Sequence, residues 1–251
     1  MEWRDEGLII GTRTHGETSV IVEAMTRAHG RHFGLVQGGR SRRMRPFLQP
    51  GTEAELVWRA RLEEHLGTFS IEPVRLRMAS LLANAEALHA LSLAAALLRL
   101  AAEREPHPQL YEMALRITSG IDTPEILPPL LVQFEAAILA QMGFGLDLTR
   151  CAATGAAHEL IYVSPRSGRA VSKAAGEPYK TRLLPLPAFL HGEAPVQDPS
   201  FADIMNGFRL TGFFLARDIY GPRGKALPLA RESYLAELDR RFAIDRSKGP
   251  A

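Results

Sequence analysis

One cysteine, Cys151, serves the whole chain, so no intramolecular disulfide can form and a reducing compartment is expected. Long hydrophobic runs are also missing. The longest apolar helix-like stretch, Ala87 to Leu98, has 12 residues, contains His89 and is bounded by Glu86 and Arg99, whereas a membrane span needs roughly 20. The opening Met1-Glu2-Trp3-Arg4-Asp5-Glu6 is charged and has no apolar core of the signal-peptide kind. These absences set the expectation of a soluble, cytoplasmic protein.

Catalytic signatures are absent as well. The chain holds no G-x-x-x-x-G-K-[ST], no G-x-S-x-G, no H-E-x-x-H, and no G-x-G-x-x-G that opens a helix after a strand. Gly143-Phe144-Gly145-Leu146 lacks the third glycine and reads as a helix C-cap. Glu63-Glu64-His65 offers acid and base side by side, but neighbouring residues in a strand or turn point apart, so exposed decoration is expected there. His15, His29 and His32 sit among glycines and arginines with no thiol or carboxylate beside them, which favours turn or phosphate-adjacent roles over a metal site. No enzymatic activity and no cofactor are expected.

One further absence is local. From Ala24 to Thr52 there is no Asp or Glu, while six arginines (Arg27, Arg31, Arg40, Arg42, Arg43, Arg45) give that window a charge of +6 in a chain whose total is only +2. Four of them crowd into Gln37-Gly38-Gly39-Arg40-Ser41-Arg42-Arg43-Met44-Arg45, ahead of Pro46. A charge run alone is commonly a solvated loop. Guanidinium groups on a Gly-rich connector also suit phosphate, because each planar fork can donate two hydrogen bonds to one anion.

The 251 residues suit one large or two small domains, and 46% hydrophobic with 23% charged residues is ordinary for a globular chain. The first 77 residues read as β. Short runs (Leu8–Thr14, Thr18–Met25, His32–Gln37, Thr52–Arg61, Leu66–Ile71) are separated by Gly-rich turns, and Pro73 closes the last. In the fourth run Ala54, Leu56, Trp58 and Ala60 face one way and Glu53, Glu55, Arg59 and Arg61 the other, the period of a strand over a core. Five such strands fit a small barrel, of the oligonucleotide-binding (OB) or the SH3-like type. The arginine run then becomes a mobile connector between the third and fourth strands. Phe33 and Phe47 flank it as stacking candidates, although isolated strand aromatics usually pack inward, as Trp58 should.

Beyond Pro73 the chain turns helical. Met78 to Glu105 is Ala- and Leu-rich without Gly or Pro, and Leu81, Leu82, Leu88, Leu91, Leu97 and Leu98 leave it little polar face. Pro106 and Pro108 end it. Leu110–Ser119 is a second helix. Asp122 or Thr123 caps a third, which has Pro124 in its first turn and runs to about Met142. Tail helices are expected over Phe201–Tyr220 and Leu229–Phe242, with a frayed end from Ser247 to Ala251.

Between these lies a module with a readable spacing. Cys151-Ala-Ala-Thr154-Gly155 is followed, after the 17 residues Gly155 to Val171, by Ser172-Lys-Ala-Ala175-Gly176. That is the frame of a four-cysteine zinc ribbon with Thr154, Ser172 and Ala175 in three ligand positions. Leu160–Ser164 and Arg166–Val171 read as its hairpin. One thiol cannot hold a structural zinc, even with His158 near, so a metal-free hairpin and an inert Cys151 are expected.

A basic β domain joined to Ala/Leu-rich helices that are interrupted by an empty cysteine frame resembles the RecO family. The matching segments are Gly7-Leu8-Ile9-Ile10 with Gly16-Glu17-Thr18-Ser19-Val20-Ile21-Val22, Ala28-His29-Gly30-Arg31 with the arginine run, Phe47-Leu48-Gln49-Pro50-Gly51, and Phe134-Glu135 through Gly143-Phe144 to Cys151. The likeness spans about Gly7 to Phe242, and its departure is the loss of three cysteines.

The resemblance implies an α+β protein: an OB-fold-like barrel over 1–77, a helical domain over 78–149, a zinc-ribbon-like insertion without its ligands over 150–180, and C-terminal helices over 181–246. It implies binding of single- and double-stranded DNA, strand annealing, and loading of the recombinase onto DNA coated by single-strand-binding protein, close to the nucleoid. RecR and the acidic tail of single-strand-binding protein are the implied partners. The expected DNA contacts are Arg40, Arg42, Arg43 and Arg45, with Arg27, Arg31, Arg59 and Arg61 widening the face. A helical groove rimmed by Arg99, Arg116 or Arg217 is the expected seat of the acidic tail. An RNA-binding barrel and a metal-dependent nuclease are the competing readings. The nuclease would need clustered carboxylates, which the window from Ala24 to Thr52 lacks.

Overall fold

The computed structural model describes residues 1–191 and 199–247, with side chains as far as 244. The expected tail from Lys248 onward lies outside the described residues, and Ser247 closes the last helix. Residues 1–124 form one compact unit and 125–251 a second.

The first unit opens with a five-stranded barrel: β1 (Glu2–His15), β2 (Ser19–Thr26), β3 (Gly30–Val36), β4 (Glu53–Arg59) and β5 (Thr68–Arg75). Its strand order is β1-β2-β3-β5-β4, closing back onto β1. β3 and β5 meet in parallel at Leu35 and Thr68, and every other pairing is antiparallel. Of the two barrels that the strand pattern allows, this is the OB-type arrangement. The alternation in β4 holds, with Ala54, Leu56 and Trp58 buried in a core shared with Ile9, Val22 and Phe69.

Two strands differ from their sequence expectation. β1 starts at Glu2, six residues before Leu8, because its polar start lies against β4: Glu2 opposite Arg59, Arg4 opposite Val57, Glu6 opposite Glu55. β5 continues through Pro73 to Arg75, beside an irregularity between Glu53 and Ala54, where a missing N–H costs no regular ladder bond.

The helices α1 (Met78–Ala83), α2 (Ala85–Leu98) and α3 (Pro108–Ser119) complete this unit. The single helix expected over Met78–Glu105 is broken at Asn84. Asn84 is extended (φ −139°, ψ 106°) and accepts a hydrogen bond from the Ala87 amide as the N-cap of α2. Leu81 and Leu91 are buried together with Ala87 and Ile121, whereas Leu82 is 78% exposed and Leu88 44%, so the broken helix does present an apolar outer face. The predicted cap of the next helix also differs. Asp122 instead faces the Arg77 guanidinium at 3.5 Å, and the backbone of Thr123 closes a 3-10 turn onto Gly120.

His32 is not the turn residue that its neighbours imply. It is 3% exposed, packed edge-on against Trp3 and Trp58, and neither ring nitrogen has a hydrogen-bond partner. Burial, aided by the nearby Arg104 and His29, lowers its pKa from 6.5 to about 4. Between those values the unfolded chain binds a proton that the folded chain refuses, so stability falls as pH drops from about 6.5 towards 4. A lowering of that size corresponds to at most about 3 kcal/mol. Denaturant unfolding at pH 7 and pH 4.5 should therefore show a smaller acid loss for His32→Phe than for the natural chain. Equal losses would contradict the assignment.

The second unit holds α4 (Leu127–Gln141), the strands β6 (Leu160–Val163), β7 (Ala170–Ser172) and β8 (Leu184–Pro185), the single-turn α5 (Lys173–Gly176), and the helices α6 (Phe201–Phe214) and α7 (Leu229–Ser247). A π-helical stretch, Leu215–Tyr220, extends α6. The expected hairpin is present as β6 and β7, and β8 flanks β6 to make a three-stranded sheet.

Within that sheet the Ser172 amide donates to the Cys151 sulfur at 3.2 Å. Burial pushes the thiol up, but hydrogen bonds from Ser172 and Thr154 outweigh it and bring it to about 6. Three positions of the cysteine frame thus meet through hydrogen bonds. With one thiol among them, this donor set does not fit zinc, and no group of three or more His, Cys, Asp or Glu that could hold a metal occurs among the described residues.

The buried polar centre of this unit joins three helices. Arg231 of α7 donates to Glu135 of α4 through Nε (2.7 Å) and Nη2 (3.2 Å), and Nη2 also reaches the Phe208 carbonyl of α6 at 2.5 Å. The Thr211 hydroxyl donates to the same carboxylate. Gly212 makes room for the guanidinium, because a Cβ there would lie 2.7 Å from Nη2.

Candidate nucleic-acid interface

The connector between β3 and β4 is a chain of turns packed on the end of the barrel, in place of the mobile arm that its composition implies. Gly38 takes the left-handed conformation (φ +65°), open to glycine without strain. Leu48 enters the barrel core at 3% exposure, and the half-buried Met44 packs against the same core. Ser41 accepts the amides of Met44 and Arg45 through its carbonyl, at 3.1 and 3.0 Å. With Met44 and Leu48 turned inward, Arg40, Arg42, Arg43 and Arg45 are left exposed.

Arg40 differs from the other three. Its backbone amide donates to Thr18 at 3.0 Å, and its guanidinium donates to the carbonyls of Gly16 (3.2 Å) and Glu17 (2.7 Å). It therefore fastens the connector to the β1–β2 turn. Beside it lies a cleft of about 370 Å³, lined among others by Thr12, Arg13, Thr14, Arg40, Arg45 and Gln49. Arg13 is exposed on β1, opposite Ile21 of β2. Among the described residues, Arg13, Arg42, Arg43 and Arg45 form no ion pair. Nothing in the composition singled out Arg13, a lone cation among threonines. Only the pairing of β1 with β2 brings it to the connector.

The other arginines expected to contact DNA stand elsewhere. Arg27 pairs with Glu6 (3.1 Å) and Glu112, and lies over the Tyr111 ring. Arg31 pairs with Glu23 (3.0 Å) and donates to the Ala101 carbonyl (3.1 Å). Arg59 is held by both carboxylate oxygens of Glu2, at 2.8 and 3.0 Å. Arg61 is exposed in the β4–β5 loop and has no ion pair among the described residues. The charge count of the window misled here because the acids that compensate Arg27 and Arg31 (Glu6, Glu112 and Glu23) lie outside it.

Phe33 is half-buried with the Arg31 guanidinium over its ring, Phe47 is half-buried, and Trp58 is 1% exposed with its indole N–H donating to the Leu66 carbonyl at 3.0 Å. Glu63, Glu64 and His65 are exposed, as expected, and their carbonyls receive the Arg104 guanidinium. Of the groove arginines, Arg99 pairs with Glu23 (2.8 Å), Arg217 pairs with Asp218 (2.6 Å), and Arg116 is exposed without an ion pair among the described residues. No helix among the described residues is long and apolar enough to cross a membrane.

With this geometry in place, comparison with known proteins is informative. Residues 1–77 match the family described as Recombination protein O N terminal, and residues 80–227 match Recombination protein O C terminal. A curated relative from Methylocella silvestris, named DNA repair protein RecO, is 65% identical over 241 residues, covering 96% of this chain and 97% of its own length. Proteins of the same name from Beijerinckia indica subsp. indica and a Chelativorans species are 54% and 53% identical, over 94% and 96% of this chain and 95% and 96% of theirs.

Proposed function

The chain belongs to the RecO family of DNA repair and recombination proteins, and on that premise we propose that it grips DNA by the backbone at the connector end of its barrel. The observation that carries this reading is the set of exposed guanidinium groups of Arg13, Arg42, Arg43 and Arg45, none ion-paired among the described residues: Arg13 and Arg45 line one cleft, and Arg42 and Arg43 stand on the same connector as Arg45, which Arg40 fixes. Side chains of this kind neutralise phosphates of single and double strands alike and give little sequence preference. A surface that holds two strands without reading them favours annealing, since it screens their mutual repulsion while the bases stay free to pair. No covalent step is involved.

In this reading residues 1–77 are the nucleic-acid-binding domain. The helical remainder, with its 150–180 insertion, meets RecR and the acidic tail of single-strand-binding protein, and recombinase loading at the nucleoid follows from those contacts. Annealing of two labelled complementary strands, bare and coated with single-strand-binding protein, tests the reading. The chain should accelerate pairing in both cases, leave the strands intact in Mg²⁺, and be displaced more readily by DNA than by RNA. No acceleration on either template, or cleavage of the strands, would overturn it.

A further inference from the structure

The far end of β1 carries a second cavity, of about 320 Å³, which the phosphate-binding reading leaves unused. Trp3, Ala28, His29, His32 and Trp58 are among its lining residues, so it collects both tryptophans of the chain. The Trp3 ring stacks on His29 (centroids 4.1 Å apart, planes within 7°) and on Trp58 (5.7 Å, 16°). His32, whose two ring nitrogens have no partner, stands edge-on to both indoles at 5.0 and 4.8 Å.

Several charged groups around the cavity already have partners. Glu2 is paired with Arg59, Asp5 with the His29 ring at 2.9 Å, and the Arg104 guanidinium is committed to the carbonyls of Glu63 (2.5 Å), Glu64 (3.3 Å) and His65 (3.0 Å). A phosphate gains little here. A neutral, flat heteroaromatic ring gains most, because it can lie against the half-buried Trp3 and His29 rings of the cavity wall.

The geometry points to a pocket for a single unpaired nucleobase, formed by Trp3, His29, His32 and Trp58 at the barrel end away from the arginine cleft. It deepens the DNA-binding reading. The cleft holds backbone and would bind any strand, whereas the pocket takes a base and so discriminates single strands from duplex, whose bases are already stacked.

Intrinsic tryptophan emission of the full chain reports the pocket directly, since both fluorophores line it. An oligothymidylate and an abasic deoxyribose-phosphate strand of equal length, each end-labelled, should both raise the anisotropy of their label, but only the oligothymidylate should quench the tryptophans. Ala28→Phe, at an exposed turn position on the cavity wall, should abolish the quench and leave abasic-strand binding unchanged. Equal quenching by both strands, or oligothymidylate binding without a quench, would overturn the pocket. If neither strand binds, the arginine reading fails, and titration with free thymidine then decides the pocket alone: a saturable quench supports it and a flat response removes it.

Discussion

Replacing Arg13, Arg42, Arg43 and Arg45 together with alanine should weaken single-stranded DNA binding by about a hundredfold near physiological salt. The slope of log affinity against log salt should become shallower by about 2.8, at roughly 0.7 for each lost phosphate contact on a single strand. Arg40 is left out of the set because its guanidinium ties the connector to the carbonyls of Gly16 and Glu17, so its loss would confuse a folding effect with a binding one. The four chosen side chains are exposed and unpaired among the described residues, and the barrel should keep its far-ultraviolet circular dichroism. A second variant sharpens the experiment. Arg27 and Arg59 already face Glu6, Glu112 and Glu2, so their joint replacement removes charge that is largely compensated and should change the salt slope by less than one contact's worth. If the first variant binds as tightly as the natural chain at low and high salt, or the second loses as much as the first, the connector is not the DNA contact.

The second large effect concerns stability. Arg231→Ala should destabilise the second unit by about 3–5 kcal/mol, because it strands the fully buried Glu135 carboxylate with only the Thr211 hydroxyl for company. The cost is mainly that of the abandoned charge. Replacing both partners with apolar residues of similar size, Glu135→Leu with Arg231→Met, should therefore recover most of it. Denaturant unfolding followed by helical circular dichroism distinguishes the two outcomes. A loss under about 1 kcal/mol for the single variant, or no recovery in the double, would show that the pair is not the anchor of α4, α6 and α7.

Local grammar in the chain made several of these features legible. Alternation in Ala54, Leu56 and Trp58 placed a strand and its core face, because period 2 is a property of the backbone itself. The β6–β7 hairpin and the helices from Phe201 and Leu229 were likewise readable from turn residues and apolar spacing. The arginine run announced itself by the absence of acid around it, and the spacing of Cys151, Thr154 and Ser172 foretold residues that do meet, although through hydrogen bonds.

Tertiary pairing decided the rest. It made a strand of the charged Glu2–Glu6 by laying it along β4, and it carried Arg13 to the connector while giving Arg27, Arg31 and Arg59 carboxylate partners from elsewhere in the chain. It also buried His32 edge-on against two stacked indoles that lie 55 residues apart in the sequence, 3 to 58. Composition fixes how much charge and apolar surface a chain carries. Which charges remain unpaired, and which rings share a cavity, depends on long-range register, and that is set only when the barrel closes.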